Sequence, residues 1–422
     1  DAEGVSVSVS YSRNVEIRDN EFHYGGLSVW SSQKEDYNIT VVRNTINGMP
    51  VGYYFNMTSV QVYGSGYGQL LFAHCDKVTV VGGHYEDISG PIVFDQCDHS
   101  TVSGASFESC AVGITASSSS NVAVIGCWFR NCSDAIWMSS VDGVLITNNS
   151  IRDTALSGVS VLSATSSFVT DNVICGAGNY GIRVHSFGDC YVVGNSIFGT
   201  DGIGIMIDFV SGGMYCHSNR VAGSGLANCF DESGNACWNT STAGNYWGDF
   251  AGVGPYRVPS YGIAYDYLAH GYVSELEIDH PADRTILAGT TGNVIVWSPS
   301  CTCPDTYAVY VDGLSSAWVE WDGNPVVVSI DGLATGTHNI TLAARASCGA
   351  EVTDTVIVTV VAPADTTPTT TTTTEPTTTM TATTTPPSML DDPALLRLLL
   401  GVLSAALIIV LILYARARRS GK

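Results

Sequence analysis

The sequence predicts an all-β protein whose larger part is a right-handed parallel β-helix. A unit of roughly 22 residues recurs through about the first 250 residues, and each unit holds two or three short strands of alternating apolar and polar side chains. The composition agrees, because the 422 residues include 44 glycines and only 13% are charged. One unit cannot enclose a core, whereas copies stacked about 4.8 Å apart bury their apolar positions as continuous ladders.

Asparagine recurs where the first strand of many units ends. In the best-repeated stretches, adjacent members of this series are separated by the length of one unit. Asn and Gly tolerate the left-handed backbone that a sharp corner needs, so we expect these side chains to lie above one another at one corner. The asparagines of this corner ladder are Asn20, Asn44, Asn149, Asn172, Asn195 and Asn219.

The chain divides into five segments, of which the β-helix is the first, at residues 1–275. Its pattern is present from the start, so we expect it to begin upstream, behind a removed signal peptide. Residues 276–361 contain five alternating strands separated by Asp-Gly turns, which predict a small β-sandwich. Residues 362–392 are rich in Thr and Pro and predict a disordered stalk. Residues 393–415 predict one transmembrane helix, and the basic tail at 416–422 places the C-terminus in the cytoplasm.

The charge balance restricts the partners. With 39 acidic and 17 basic side chains, the formal net charge is −22, which excludes an ordinary nucleic-acid binder. We expect a protein of the cell membrane with most of its chain outside. The predicted transmembrane helix makes the membrane one partner, and we expect the other partner to be a polysaccharide or a surface protein.

Cysteines and glycosylation sequons also indicate an extracellular protein. The thirteen cysteines fit an oxidising compartment, and two pairs spaced by one repeat unit are expected to stack in adjacent coils, either as disulfides or as buried thiols. The candidate disulfides are Cys75–Cys97, Cys110–Cys132, and Cys348 with either Cys301 or Cys303. The candidate N-glycosylation sites are Asn38, Asn56, Asn131, Asn148, Asn239 and Asn339.

The segment Gly244-Asn-Tyr-Trp-Gly-Asp-Phe250 resembles the signature that closes the β-helix in the NosD-like family. Together with the repeats, this resemblance covers about residues 1–275 and implies the β-helix fold of archaeal and bacterial surface proteins. Residues 276–361 resemble the immunoglobulin-like domains that follow such repeats in archaeal surface proteins. The family takes its name from a protein of copper delivery, but the 7 Met and 9 His of this chain are scattered, so we expect no cofactor and no metal.

The outward positions of the second strand in each unit predict a binding surface. Aromatic rings on a solvent face stack against sugars or partner proteins, and an arginine there can bind a carboxylate. The candidates are Tyr54, Trp137 and Arg183. The alternative interpretation is that a long loop or a neighbouring copy covers this stripe.

Three classes of function follow. The preferred one is adhesion, or carbohydrate or protein binding, at the cell envelope. The first alternative is a polysaccharide-processing lyase, hydrolase or epimerase, which needs clustered carboxylates on an outer face. On the outer face beside the asparagine corner, Glu108 and Arg130 occupy the same position in successive units and predict a surface ion pair. We therefore identify no catalytic residue. The second alternative is a purely structural surface-layer component.

Overall fold

The computed structural model describes residues 7–363. Most of the predicted stalk, the predicted transmembrane helix and the basic tail lie outside the described residues, as do residues 1–6. Within residues 7–363, no helix is both long enough and apolar enough to span a bilayer.

Three parallel sheets run along the chain as far as the strand His270–Gly271, and neighbouring strands of each sheet come from successive repeat units. In the middle of the longest sheet, Val93 pairs in register with Leu71 on one side and with Thr115 on the other. Each of these partners is the equivalent residue of the adjacent unit, as the repeat requires. The prediction of a parallel β-helix built from stacked units is confirmed.

In the regular middle of the β-helix, each unit contributes one strand to each sheet. The eleven-stranded sheet contains Glu21–Phe22, Thr45–Ile46, Met49–Phe55, Gln69–Ala73, Ile92–Asp95, Val112–Ser117, Asp134–Ser139, Ser157–Ala164, Tyr180–Ser186, Ile203–Val210 and Ala227–Asp231. The eight-stranded sheet contains Thr58–Tyr63, Asp76–Val81, Asp98–Ser103, Ser120–Ile125, Asp142–Thr147, Ser167–Thr170, Cys190–Val193 and Met214–His217. The nine-stranded sheet contains His84–Glu86, Ser106–Glu108, Trp128–Arg130, Ser150–Arg152, Val173–Cys175, Ser196–Phe198, Arg220–Ala222, Tyr246–Trp247 and His270–Gly271.

The inward side chains form the predicted ladders. Phe72 stacks on Phe94 with ring centroids 5.2 Å apart, and Phe107 stacks on Phe129 at 4.7 Å. Both spacings match the distance between neighbouring strands, because equivalent side chains of successive coils lie directly above one another. The core therefore runs as one continuous apolar column along the helix.

The corner asparagines form a hydrogen-bonded ladder, and they are not the left-handed residues. The Asn149 amide donates to Asn172 Oδ1 at 2.9 Å, and Asn172 donates to Asn195 at 2.9 Å. Asn195 and Asn219 continue the series to Asn245, and Asn20 donates to Asn44 in the first coils. The positive φ falls one residue earlier, for example at the residues before Asn149 and Asn172. The ladder therefore serves hydrogen bonding between coils, and the turn is made by its neighbours.

The first coils are irregular. Val7–Ser10 pairs only with Leu27–Trp30, and Glu16–Arg18 pairs with Thr40–Val42, each as a separate two-stranded parallel sheet. A short 3-10 helix at Lys34–Tyr37 follows the strand Leu27–Trp30. A second 3-10 turn lies at Gly64–Gly66, and an antiparallel pair closes the far end at Tyr256–Val258 and Ala264–Asp266.

The C-terminal part forms a small, mainly antiparallel β unit. Its six-stranded sheet contains Arg284–Leu287, Pro304–Val311, Leu314–Ser315, Val319–Glu320, Gly336–Ala346 and Glu351–Val361. A two-stranded sheet of Val294–Trp297 and Val326–Ser329 packs over the same core, in which Trp297, Leu342 and Val356 are fully buried. This unit contacts the β-helix, with which it forms one compact body.

Candidate functional site

The outward stripe predicted as a binding surface lies on the eleven-stranded sheet. Trp137 pairs in register with Thr115 and with Ser160, and its side chain is half-buried on the outer face. The upper rungs of the stripe are Tyr53, Leu71, Val93 and Thr115. Trp137 therefore occupies the position expected from its sequence.

Tyr54 does not lie on this stripe, which is a correction. Its register partner is Phe72, and its ring stacks on that core ring at 5.0 Å. Its hydroxyl lies 3.0 Å from the hydroxyl of Tyr67, and burial raises the pKa of Tyr54. The preceding residue, Tyr53, points outward instead. Two adjacent tyrosines make the alternation of this strand ambiguous in the sequence, and the strand follows an antiparallel hairpin that sets its phase.

Arg183 lies on the stripe, as predicted, and is paired with a carboxylate of this chain. Its Nε and Nη2 atoms lie 2.8 and 2.7 Å from Asp208 Oδ2. The guanidinium also lies 5.3 Å from the ring of Tyr180. Asp208 neutralises the positive charge locally, and the anion-binding role of Arg183 stays a prediction.

The upper part of the stripe is covered by the strand Leu27–Trp30, and a cleft separates the two. This cleft has a volume of about 290 Å³. The alternative interpretation was coverage by a long loop or a neighbouring copy, and at the upper rungs the covering segment is the short strand Leu27–Trp30. The lining residues are Leu27, Ser28, Val29, Trp30, Leu71, Ser89, Gly90, Val93, Asp95, Val112, Thr115 and Ser117.

Hydrogen bonds at both ends hold the covering strand in place. At one end, the Gln69 side chain accepts from the backbone NH of Leu27 and donates to its carbonyl, both at 2.9 Å. At the other end, Gln96 donates to the carbonyl of Ser31 at 3.0 Å. Gln69 and Gln96 belong to coils of the β-helix, so the cover is attached to the sheet at both ends. Leu27 is buried in the β-helix core and Val29 packs against it, and the cleft lies between this strand and the floor.

Asp95 is the ionisable group of the cleft. It is 4% exposed, and its carboxylate accepts hydrogen bonds from Tyr37 and from Ser117. Burial raises the pKa of Asp95, and the bonds from Tyr37 and Ser117 only partly oppose this effect. The Tyr37 hydroxyl donates its single proton to Asp95 and accepts from the NH of Ser31 at 2.8 Å, so Asp95 and Tyr37 together attach the cover to the floor.

Two tryptophans flank the cleft. Trp30 forms part of the cover and is 49% exposed, with the ring of Tyr11 packed edge-on against it at 4.8 Å. Trp137 follows Thr115 on the next strand of the floor. The cleft thus combines the indole ring of Trp30 with the hydroxyls of serines and of Thr115, and Trp137 lies on the adjacent rung beyond the lining. This combination suits a ligand with both apolar faces and hydroxyl groups.

The C-terminal unit covers part of the outer face of the nine-stranded sheet. This is the face that would carry the carboxylates of the enzyme alternative. Arg130 approaches Asp153 at 3.9 Å and Glu320 at 3.7 Å, rather than forming the expected pair with Glu108. Further along this face, the Phe198 ring lies 5.1 Å from that of Tyr272. The part of this face from Arg130 to Ala222 therefore forms a junction with the C-terminal unit, whereas His84 and Glu86 at its start are exposed.

The disulfide pattern differs from the predicted one. Cys303 is bonded to Cys175 of the β-helix and not to Cys348, because the C-terminal unit folds back against the nine-stranded sheet. Cys301 and Cys348 are free.

The stacked pairs Cys75–Cys97 and Cys110–Cys132 are buried thiols and not disulfides. Their sulfur atoms lie near carbonyl oxygens two residues earlier in their own turns, for example Cys97 Sγ at 3.4 Å from the carbonyl of Asp95. The two thiols of each pair are also hydrogen-bonding neighbours in adjacent coils, and the backbone NH of Cys75 donates to Cys97 Sγ at 3.4 Å.

The sequon asparagines differ in accessibility. Asn239 is half-buried, and its amide donates to the carbonyl of Thr240 at 2.8 Å. The exposed ones are Asn38, Asn56, Asn131, Asn148 and Asn339.

One group of potential metal ligands occurs within the described residues, formed by Asp76, Asp98 and His99. Asp98 already accepts hydrogen bonds from Ser120 and Asn121, which lower its pKa.

Reasoning from the sequence missed Trp30, Tyr37 and Asp95. Trp30 and Tyr37 lie in the first coils, where the repeat is irregular, and no spacing signal links them to the later floor strands. A second missed feature is an exposed ring stack on the eight-stranded sheet, formed by Phe168, Tyr191 and Tyr215 at 4.8 and 4.9 Å. Its signal was present, because these rings recur once per unit, each between two inward residues.

In a comparison with known protein families, residues 56–252 match the family model described as "NosD: Periplasmic copper-binding protein (NosD)". The chain is also similar to the crystal structure of the periplasmic alginate epimerase AlgG, with 12% identity, a TM-score of 0.29, and coverage of 54% of this chain and 64% of that chain. It is similar to ORF18 of Geobacillus virus E2, with 11% identity, a TM-score of 0.21, and coverage of 82% and 66%. The chain therefore spans less than two thirds of the length of either protein. No curated protein sequence matches it.

Proposed function

We propose that this chain is a membrane-anchored protein of the cell surface whose β-helix binds an uncharged glycan in the cleft beneath Leu27–Trp30. The observation that carries the proposal is the cleft itself, which lies over the outward stripe between Trp30 and Trp137. The Thr- and Pro-rich segment would hold it away from the membrane, with the C-terminal unit as an immunoglobulin-like spacer.

The lining of the cleft supports a sugar as the ligand. Leu71, Val93 and the two indole rings offer apolar and aromatic surface to the CH faces of a pyranose. The side chains of Ser28 and Thr115 offer hydroxyls that can both donate and accept hydrogen bonds, and the Ser89 hydroxyl, which donates to the carbonyl of Gly25, can accept one. A glycan presents both apolar CH faces and hydroxyl groups in every sugar residue.

The electrostatics support an uncharged glycan over a polyuronate. None of the described residues that line the cleft is basic. Arg183, the cation on the same stripe, is neutralised by Asp208. The chain carries a formal net charge of −22, so a polyanion would meet repulsion without a compensating partner.

An extracytoplasmic location is supported by independent observations. The disulfide Cys175–Cys303 indicates an oxidising compartment, and five sequons are exposed. The matched family model is described as periplasmic. The apolar run at 393–415, with the basic residues after it, supports a C-terminal anchor.

The test is a binding titration of the full chain in detergent with hexasaccharide probes of matched length. The neutral probes are β-1,4-linked glucose, xylose, mannose and N-acetylglucosamine hexamers, and the acidic probe is a mannuronate hexamer. We expect at least one neutral hexamer to bind, with Trp137→Ala and Trp30→Ala each weakening it by about 1–3 kcal/mol. Phe168→Ala, which removes an exposed ring on another sheet, is the matched control and should leave binding unchanged. Absence of binding by every neutral hexamer, or equal loss in the control, would refute the proposal.

A further inference from the structure

We infer that two copies of this chain associate through the outer face of the eight-stranded sheet, with their β-helices side by side and parallel. This face is separate from the cleft, so the inference is independent of the glycan proposal. The other two sheets are each partly covered, one by Leu27–Trp30 and one by the C-terminal unit. Along the eight-stranded sheet, side chains remain exposed at Val81, Leu145, Phe168 and Tyr215.

Two columns of outward side chains run along this sheet. The second column consists of the last residue of each strand, and the first column consists of the residue two positions earlier, with an inward residue between them. In the later coils the first column is large, because it consists of Leu145, Phe168, Tyr191 and Tyr215. Beside each of these lies a smaller side chain of the second column, in the order Thr147, Thr170, Val193 and His217.

The charge distribution sets this face apart. Neither column contains Asp, Glu, Lys or Arg in any of the eight strands, although the chain carries a formal net charge of −22. Exposed apolar surface without charged side chains is typical of the centre of a protein–protein interface. Carboxylates lie on one rim instead, at the strand starts Asp76, Asp98 and Asp142. The opposite rim follows the second column and is rich in glycine, with Asp171 as its carboxylate.

A second copy fits these columns in one orientation. When the two-fold axis runs along the helix between the columns, the first column of one copy faces the second column of the other at the same level. Phe168 then lies opposite the partner's Thr170, and Tyr191 lies opposite the partner's Val193. Large side chains therefore meet small ones, and the acidic rim meets the glycine-rich rim. A two-fold axis perpendicular to the helix would instead set the large column on itself and the acidic rim on itself.

The available area is sufficient for a reversible dimer. Eight strands about 4.8 Å apart span about 34 Å, and a width of about 15 Å along the strands gives about 500 Å² per copy. Two copies together would bury about 1,000 Å², which is the lower limit for a specific interface. We therefore expect association in the micromolar range rather than a permanent dimer.

The first test is sedimentation equilibrium of the full chain in a density-matched non-ionic detergent, between about 1 and 100 µM. We expect the dimer fraction to rise over this range. Tyr191→Asp and Thr170→Asp should each remain monomeric, because the dimer would bury an unpaired carboxylate in both copies. Tyr261→Asp adds the same charge at a tyrosine outside this face that is 80% exposed, and it should dimerise like the wild type. A monomeric wild type, or a dimer that persists in both face variants, would overturn the inference.

Salt provides a second criterion. Two copies of charge −22 repel each other, whereas the proposed contact has no ion pairs to lose. Raising NaCl from about 0.1 to about 1 M shortens the Debye length from about 10 to about 3 Å, so the dimer should become tighter. A dimer that weakens with salt would contradict an uncharged interface.

Cysteine cross-linking tests the orientation. Val81 and Val193 belong to the second column, each one strand away from an end of the sheet. In the parallel dimer, Val81→Cys and Val193→Cys should each cross-link with its own equivalent through a short bismaleimide, above the wild-type background from the exposed Cys237. With antiparallel copies, position 81 would instead lie opposite position 193. Cross-linking only in a mixture of the two variants, or no self-cross-linking in either, would overturn the parallel arrangement.

Discussion

The two covered faces of the β-helix differ in how the cover is attached. Leu27–Trp30 lies over the eleven-stranded sheet and is held at its ends by Gln69 and Gln96. The C-terminal unit lies over the nine-stranded sheet and is held by a disulfide and by apolar contacts around Phe198. The first cover leaves a cleft between itself and the sheet, whereas the second packs around Phe198 and Cys175 on its sheet. The open face is therefore the one suited to a ligand.

Loss of the covalent attachment should have the largest effect. Cys175→Ser removes a cross-link between residues separated by 128 positions, and we expect the free energy of unfolding to fall by about 2–4 kcal/mol. Urea unfolding of the oxidised chain measures this change. Cys237→Ser, at an exposed free thiol, is the control and should change it little. Equal stability of the two variants would show that apolar contact alone holds this cover.

The polar attachment should be weaker. Tyr37→Phe removes the hydroxyl that accepts from the NH of Ser31 at 2.8 Å and contacts Asp95. Leaving these buried groups unpaired should cost about 1–3 kcal/mol. Hydrogen exchange should accelerate in residues 27–37 and remain unchanged in residues 284–361. Acceleration in both regions would contradict separate attachment of the two covers.

The smallest expected effect is a pH dependence at Asp95. Burial raises the pKa of this carboxyl in the folded state, so its contribution to stability is greatest below about pH 4 and is lost as the pH rises through the raised value. Asp95→Asn stays uncharged, so its stability relative to wild type should improve between pH 4 and pH 7. The neighbouring His74 has a lowered pKa and is common to both proteins. Paired urea titrations at the two pH values measure the difference, and a difference that stays constant or reverses would contradict the raised pKa.

The sequence predicted what depends on the repeat. Trp137 was placed on the outer face because alternation within a strand and the spacing of the repeat fix its direction. The predicted outward direction of Tyr54 was wrong, because a hairpin precedes its strand and both of its neighbours, Tyr53 and Phe55, are also aromatic. Alternation alone does not decide which of two adjacent tyrosines faces inward.

The sequence could not predict the two covers, because they depend on contacts between distant segments. Tyr37 meets Asp95 across 58 residues, and Cys175 meets Cys303 across 128. Neither contact leaves a local pattern or obeys the repeat spacing. The cysteine spacing instead favoured pairs within the β-helix, and in the structure these remain thiols that bond their own turns.

The central claim is that the cleft beneath Leu27–Trp30 binds a neutral glycan, and hydrogen exchange with the best-binding neutral hexamer tests it most directly. At saturation, we predict slower exchange in residues 27–30, 69–73, 92–95 and 112–117, which contribute to the cleft. The strands that carry the exposed ring stack, Ser167–Thr170, Cys190–Val193 and Met214–His217, should exchange as in the free protein. Protection confined to the ring-stack strands or to residues 284–361, with the cleft unchanged, would contradict the account.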